Sequence, residues 1–118
     1  MNFQLVVAII KSDMTDKVIK AGKSAGAPGA TVLPARGTGI KEAKTFFGMD
    51  LDIASDVVLF LVEERLVKIV QDTINLSGSF DNPGTGISFS LPIANVQGLR
   101  EQIPLFEKHI ADQKDDDS

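Results

Sequence analysis

Apolar and polar positions divide the chain into a short series of elements. Phe3 to Lys11 (FQLVVAIIK) is a β-branched apolar run that predicts a buried strand. Ser12 and Asp13 then offer N-cap side chains, and Asp16 suits the positive end of a helix. Met14, Val18 and Ala21, with Ile19, Gly22 and Ala25 beside them, recur at three- and four-residue spacing, the face of a helix packed on a sheet. Gly26-Ala27-Pro28-Gly29 ends it, and Ala30 to Ala35 is a second strand. No period fits Ile40 to Asp56, where Lys41, Glu42 and Lys44 mix with Phe46, Phe47, Met49, Leu51 and Ile53. Val57 to Val62 is a third strand. Glu63-Glu64 opens a second helix whose buried face is Leu66, Ile69, Val70, Thr73 and Ile74 and whose end is Ser77-Gly78. After a loop from Asp81 to Gly86, Ile87 to Val96 is a fourth strand with Ile87, Phe89, Leu91 and Ile93 alternating.

Strand, helix, strand, then again strand, helix, strand is a repeated βαβ unit. The expected architecture is α+β, a ferredoxin-like βαββαβ sandwich: a four-stranded antiparallel sheet with both helices on one face. Val6, Val7, Ile9 and Ile10 put apolar side chains on both faces of the first strand, so the uncovered face is expected to meet another subunit.

Composition narrows the classes. A chain of 118 residues is one domain with room for a core. It has no cysteine, which excludes disulfides and thiolate metal sites, and its one histidine, His109, has no evident partner and reads as a surface residue. The net charge of −4 is concentrated in the run Asp112 to Asp117. Without that run the chain is nearly neutral and has no basic face for nucleic acid. The expected division is a folded domain over 1–105, with a flexible loop at about 40–56, and a C-terminal segment over 106–118 ending in a disordered acidic tail. The apolar start is too short to span a bilayer and lacks the marks of a signal peptide, so a cytoplasmic location is expected.

Two stretches carry candidate chemistry. Gly37-Thr38-Gly39 follows the second strand, and Gly84-Thr85-Gly86 precedes the fourth. Glycines flanking a threonine permit positive φ and expose consecutive N–H groups, which suits a phosphate cradle as well as an ordinary tight turn. The segment between Ile40 and Asp56 is either a connecting loop anchored by two aromatics or a recognition loop that docks on a partner.

Taken in order, A-I-I-K at Ala8 to Lys11, G-A-T-V at Gly29 to Val32, R-G-T-G at Arg36 to Gly39, Q-D-T-I at Gln71 to Ile74 and N-P-G-T-G-I-S-F at Asn82 to Phe89 resemble the PII signal-transduction superfamily. The resemblance runs from Phe3 to about Arg100. It implies a homotrimer that binds adenine nucleotide, ATP, ADP or AMP, with or without Mg2+, in clefts between subunits. Gly37, Thr38 and Gly39 would then lie at the base of the loop that clasps the phosphates, and Gly84, Thr85 and Gly86 on the second phosphate loop. Thr31 would bond the adenine, Ile9 and Leu61 would hold the base, and Arg100 would reach phosphate across the interface.

Three departures matter. Ile87 stands where the family carries a phosphate lysine, Gly98 where it carries a second arginine, and Lys41 where it carries the glutamine that supports Mg-ATP and 2-oxoglutarate. Weaker triphosphate binding and no 2-oxoglutarate sensing are therefore expected, with Lys41 or Lys44 restoring a charge near the phosphates. The chain has no tyrosine, which rules out tyrosyl uridylylation. The expected function is a non-enzymatic regulator whose loop, through Lys44, Phe46, Phe47 and Met49, engages a membrane transporter or metabolic enzyme. The alternatives are a PII-fold trimer acting as an interaction scaffold without nucleotide, and a slow ATPase built on Glu42 and Asp50. One lone histidine and no cysteine disfavour a metal site.

Overall fold

A computed structural model describes residues 1–35, 45–46, 49–50, 54–82 and 84–117. Strand β1 (Phe3–Lys11) leads through a 3-10 turn (Ser12–Met14) into helix α1 (Thr15–Ala25), then β2 (Thr31–Ala35). The short strands β3 (Thr45–Phe46) and β4 (Met49–Asp50) pair with each other. Next come β5 (Ser55–Glu63), a second 3-10 turn (Glu64–Leu66), α2 (Val67–Gly78), β6 (Gly86–Ile93) and α3 (Ile103–Asp117). The main sheet has the order β2-β5-β1-β6 with every pair antiparallel, the expected ferredoxin-like arrangement.

Why β1 reads as continuous apolar sequence is visible in its two faces. Val6, Ala8 and Ile10 point to the helices, where they join Val58, Phe60 and Val62 of β5 and Val18, Leu66, Val70 and Ile74 in one closed core. The alternate residues form cross-strand rows on the other face. Leu61, Leu5 and Leu91 make one row; Thr31, Leu59, Val7 and Phe89 the next; and Leu33, Val57, Ile9 and Ile87 the third. In the single chain this face carries no helix and is partly exposed, with Phe89 38% and Leu91 48% exposed, while Val7 at its centre is buried.

Several element ends differ from expectation. Neither Ser12 nor Asp13 caps α1 with its side chain. Instead the buried Thr15 hydroxyl donates to the Asp56 carboxylate at 2.5 Å, so the anion at the start of α1 comes from β5, where the helix field favours it. Glu63 is the last residue of β5 and also the N-cap of the 3-10 turn that runs into α2; almost fully buried, its carboxylate accepts from the Arg65 backbone N–H and Nε at 2.8 and 3.0 Å. Strand β6 stops at Ile93 rather than Val96, and β5 begins at Ser55, inside the stretch expected to be loop.

At the C-terminus, α3 runs through residue 105 and on through the acidic segment to Asp117. Phe106 and Ile110, one turn apart, enter the core, and the Phe106 ring meets Phe3 edge-on at 5.4 Å. His109, expected at the surface, is half-buried beside Gly26, its Cβ 3.6 Å from where a side chain there would begin.

Candidate functional site

A cleft of about 410 Å³ lies on the helix-free face at the β2 edge. Leu5, Leu59 and Leu61 form its apolar floor, the Pro28-Gly29-Ala30 turn and Thr31 form one wall, and Leu99 and Gln102 close the other. The residues between β6 and α3 therefore fold back over the sheet. Successive bonds fix that turn: the Gln102 and Ile103 N–H groups donate to Leu99 O, and the Gln102 carbonyl accepts from Leu105 and Phe106. Because Phe106 is locked in the core, the wall is anchored.

Two expected residues, Thr31 and Leu61, meet in this cleft. Ile9 does not line it. It sits on the same face of the sheet but four residues along β1 from Leu5, between Val57 and Ile87. Arg100 is exposed on the wall segment between Leu99 and Gln102, and its guanidinium forms no ion pair with a described residue. Leu5, Leu59, Leu99 and Gln102 were missed by sequence reasoning. The two strand leucines carry a signal, since they alternate with core positions, whereas Leu99 and Gln102 reach the cleft only through the fold of the turn.

Gln102 has a further property. Its side-chain Oε1 is shut away from solvent and has no hydrogen-bond donor, alone in this among the described side chains. An acceptor left in that state costs roughly 1–3 kcal/mol relative to one that is paired.

The second Gly-Thr-Gly is partly engaged in its own loop. Gly84 has φ 78°, as such a turn requires, but the Thr85 hydroxyl donates to Ser79 O and Asn82 O at 2.7 and 2.9 Å, and its N–H to Asn82 O at 3.4 Å. Gly86 is a packing glycine. A Cβ there would stand 2.7 Å from the Phe80 ring and 3.0 Å from Ile10. The first Gly-Thr-Gly, Gly37 to Gly39, lies outside the described residues, as do Lys41, Lys44 and Phe47. Phe46 and Met49 are backbone partners in the β3–β4 pairing.

Pro34, near the end of β2, lies in the same row as Asp56, Ile10 and Gly86. β2 and β6 are the opposite edges of the sheet, three strand spacings or about 14 Å apart.

A model of the nitrogen regulatory protein P-II family matches residues 3–102. This chain belongs to that family. Solved structures similar to this P-II chain include a PII-like signaling protein from Thermus thermophilus, at 22% identity and TM-score 0.60 over 83% of this chain and 93% of that one. Another is CPII from Thiomonas intermedia bound to ADP, AMP and acetate, at 17% identity and TM-score 0.58 over 80% and 90%. At these identities the two structures show a shared fold. None of the curated proteins matches the chain in sequence. Among the described residues no group of three His, Asp or Glu could hold a metal ion, and no helix is long and apolar enough to cross a membrane.

Proposed function

We propose that this P-II protein is a regulator without catalytic turnover that binds an adenine nucleotide, ATP, ADP or AMP, at a cleft completed by a second copy of the chain. The observation that carries the reading is the convergence of Thr31 and Leu61 with Leu5, Leu59 and Leu99 around one apolar cleft, with the exposed Arg100, which forms no ion pair with a described residue, next in sequence to Leu99. A cleft of this size, mostly apolar with few polar groups, suits a flat heterocycle, and a guanidinium suits a phosphate. The ADP and AMP bound to the Thiomonas protein support the ligand class.

The apolar rows on the helix-free face of the sheet support the requirement for a second copy, because a neighbouring chain packed on that face would stand against the cleft. In a trimer each cleft then draws on two chains. Nucleotides that differ in their phosphates shift the 40–56 loop by their differential affinity for its states, and the loop passes that difference to a transporter or enzyme through Lys44, Phe46, Phe47 and Met49.

Calorimetric titration with ATP, ADP, AMP and cyclic AMP, with and without Mg2+, tests this. Micromolar binding, about −7 to −8 kcal/mol, is expected, with Arg100→Ala weakening ADP by about tenfold or more through loss of a charge-assisted bond. A second reading is a P-II assembly that serves as a scaffold without nucleotide. The internal bonding of Thr85 and the packing of Gly86 favour it, because both answer to the loop's own structure. Absence of heat with every nucleotide would select it.

A further inference from the structure

We infer that Gln102 is the residue that selects the base, its side-chain carboxamide pairing with the 6-amino edge of adenine in the Leu5–Leu59–Leu61 cleft. The inference rests on the nucleotide reading above and adds to it a specificity determinant on the α3 side of the cleft. Nothing in the sequence marks this residue. The structure does so in three ways: it lines the cleft, its backbone is pinned by the Leu99–Phe106 turn, and its Oε1 has no donor among the described residues.

The remaining lining is chemically simple. Leu5, Leu59, Leu61 and Leu99 offer apolar surface to a ring and no hydrogen bond from their side chains. Thr31 stands exposed at the rim. A base entering this space must leave its polar edge facing something, and Gln102 is the side chain able to meet it from the α3 wall. The oxygen is shielded from solvent and has no partner among the described residues, so turning it toward a ligand gives up no bond to them. The last torsion of a glutamine is broad, and rotation about it presents the carboxamide edge to the cleft. That edge complements adenine, the oxygen accepting from the 6-amino group while the amide nitrogen donates to the neighbouring ring nitrogen. The phosphates would extend past the rim toward Arg100.

The test is a cycle between ligand and protein. ADP and the diphosphate of unsubstituted purine riboside, which lacks only the 6-amino group, are titrated into wild type and Gln102→Met, a replacement of similar length without hydrogen-bonding capacity. Wild type is expected to bind ADP about tenfold or more tighter than the purine analogue, the loss typical of an unpaired buried group. Gln102→Met is expected to bind the two within about twofold of each other while keeping the wild-type ratio of ADP to AMP, which reports the phosphate end. Without ligand the variant should melt at or above wild type, since it removes an unpaired acceptor.

An ADP-to-purine ratio equal in wild type and variant would overturn the inference and leave the nucleotide reading standing. So would a variant whose assembly mass changes while its ADP affinity does not, because Gln102 would then be serving a subunit contact. If wild type binds none of these nucleotides, the nucleotide reading falls and the inference with it. Should Gln102→Met fail to fold, the wild-type comparison decides: equal affinity for ADP and the purine analogue rejects base selection through the 6-amino group.

Discussion

Arg100 and Gly86 show how differently two residues of one expected site are used. Arg100 is exposed and unpaired among the described residues, so its removal touches binding and leaves the fold alone; exposed substitutions of this kind change stability by within about 0.5 kcal/mol. Gly86 is the opposite. Phe80 fills the space above it and also crowds Gly78, where a Cβ would come within van der Waals overlap of the same ring. Gly86→Ala is therefore expected to destabilise the chain by about 1–3 kcal/mol through overpacking, read as a lower urea midpoint with unchanged slope. A Gly86→Ala protein with wild-type stability would mean that the Phe80 ring has room to move, and the glycine would regain its claim to a phosphate role. Glu63 makes a related point. Two acids before an apolar period mark the start of a helical turn, and here the first also ends a strand: from a buried position, with extended backbone at ψ 140°, it caps the turn by accepting from the Arg65 N–H.

Among the elements, β1, α1, β5 and α2 could be read from pattern because each buries a regular face. The doubled βαβ order then fixed the sheet topology, since few connections are compatible with it. Helix α3 could not be read in the same way. Its apolar residues are sparse within Glu107, Lys108 and the Asp-rich end, and the pair Phe106 and Ile110 gains meaning only from what lies beneath it. Phe3 meets the Phe106 ring, and a partner residue remote in sequence is invisible to a local period. Phe106→Ala is expected to cost about 3–5 kcal/mol, with loss of helical signal from α3 before the main unfolding transition. Loss of α3 would also free the Leu99–Gln102 wall, so nucleotide affinity should fall with it. Unchanged circular dichroism and midpoint would show that α3 is held by something other than this contact. The cleft itself was half readable. Thr31 and Leu61 stand on strands whose faces follow from alternation, whereas its second wall depends on a turn that α3 anchors.

The whole molecule presents one helix-covered face and one face of apolar rows partly open to solvent. Leu61–Leu5–Leu91, Leu59–Val7–Phe89 and Val57–Ile9–Ile87 run across three strands without a charged side chain, a patch that a soluble single chain seldom leaves bare. On the proposed reading, in which a second copy completes the cleft, assembly and ligand binding are coupled. Leu91→Glu, placed at a half-exposed position of the open face, is expected to leave the single chain folded while splitting the assembly, and with it the nucleotide site. Native mass spectrometry of wild type and Leu91→Glu, with and without ADP, reads both properties at once. The account predicts a wild-type trimer that takes up ADP and a Leu91→Glu monomer that does not. A monomer carrying ADP with undiminished occupancy, or a trimer that takes up none, would contradict it.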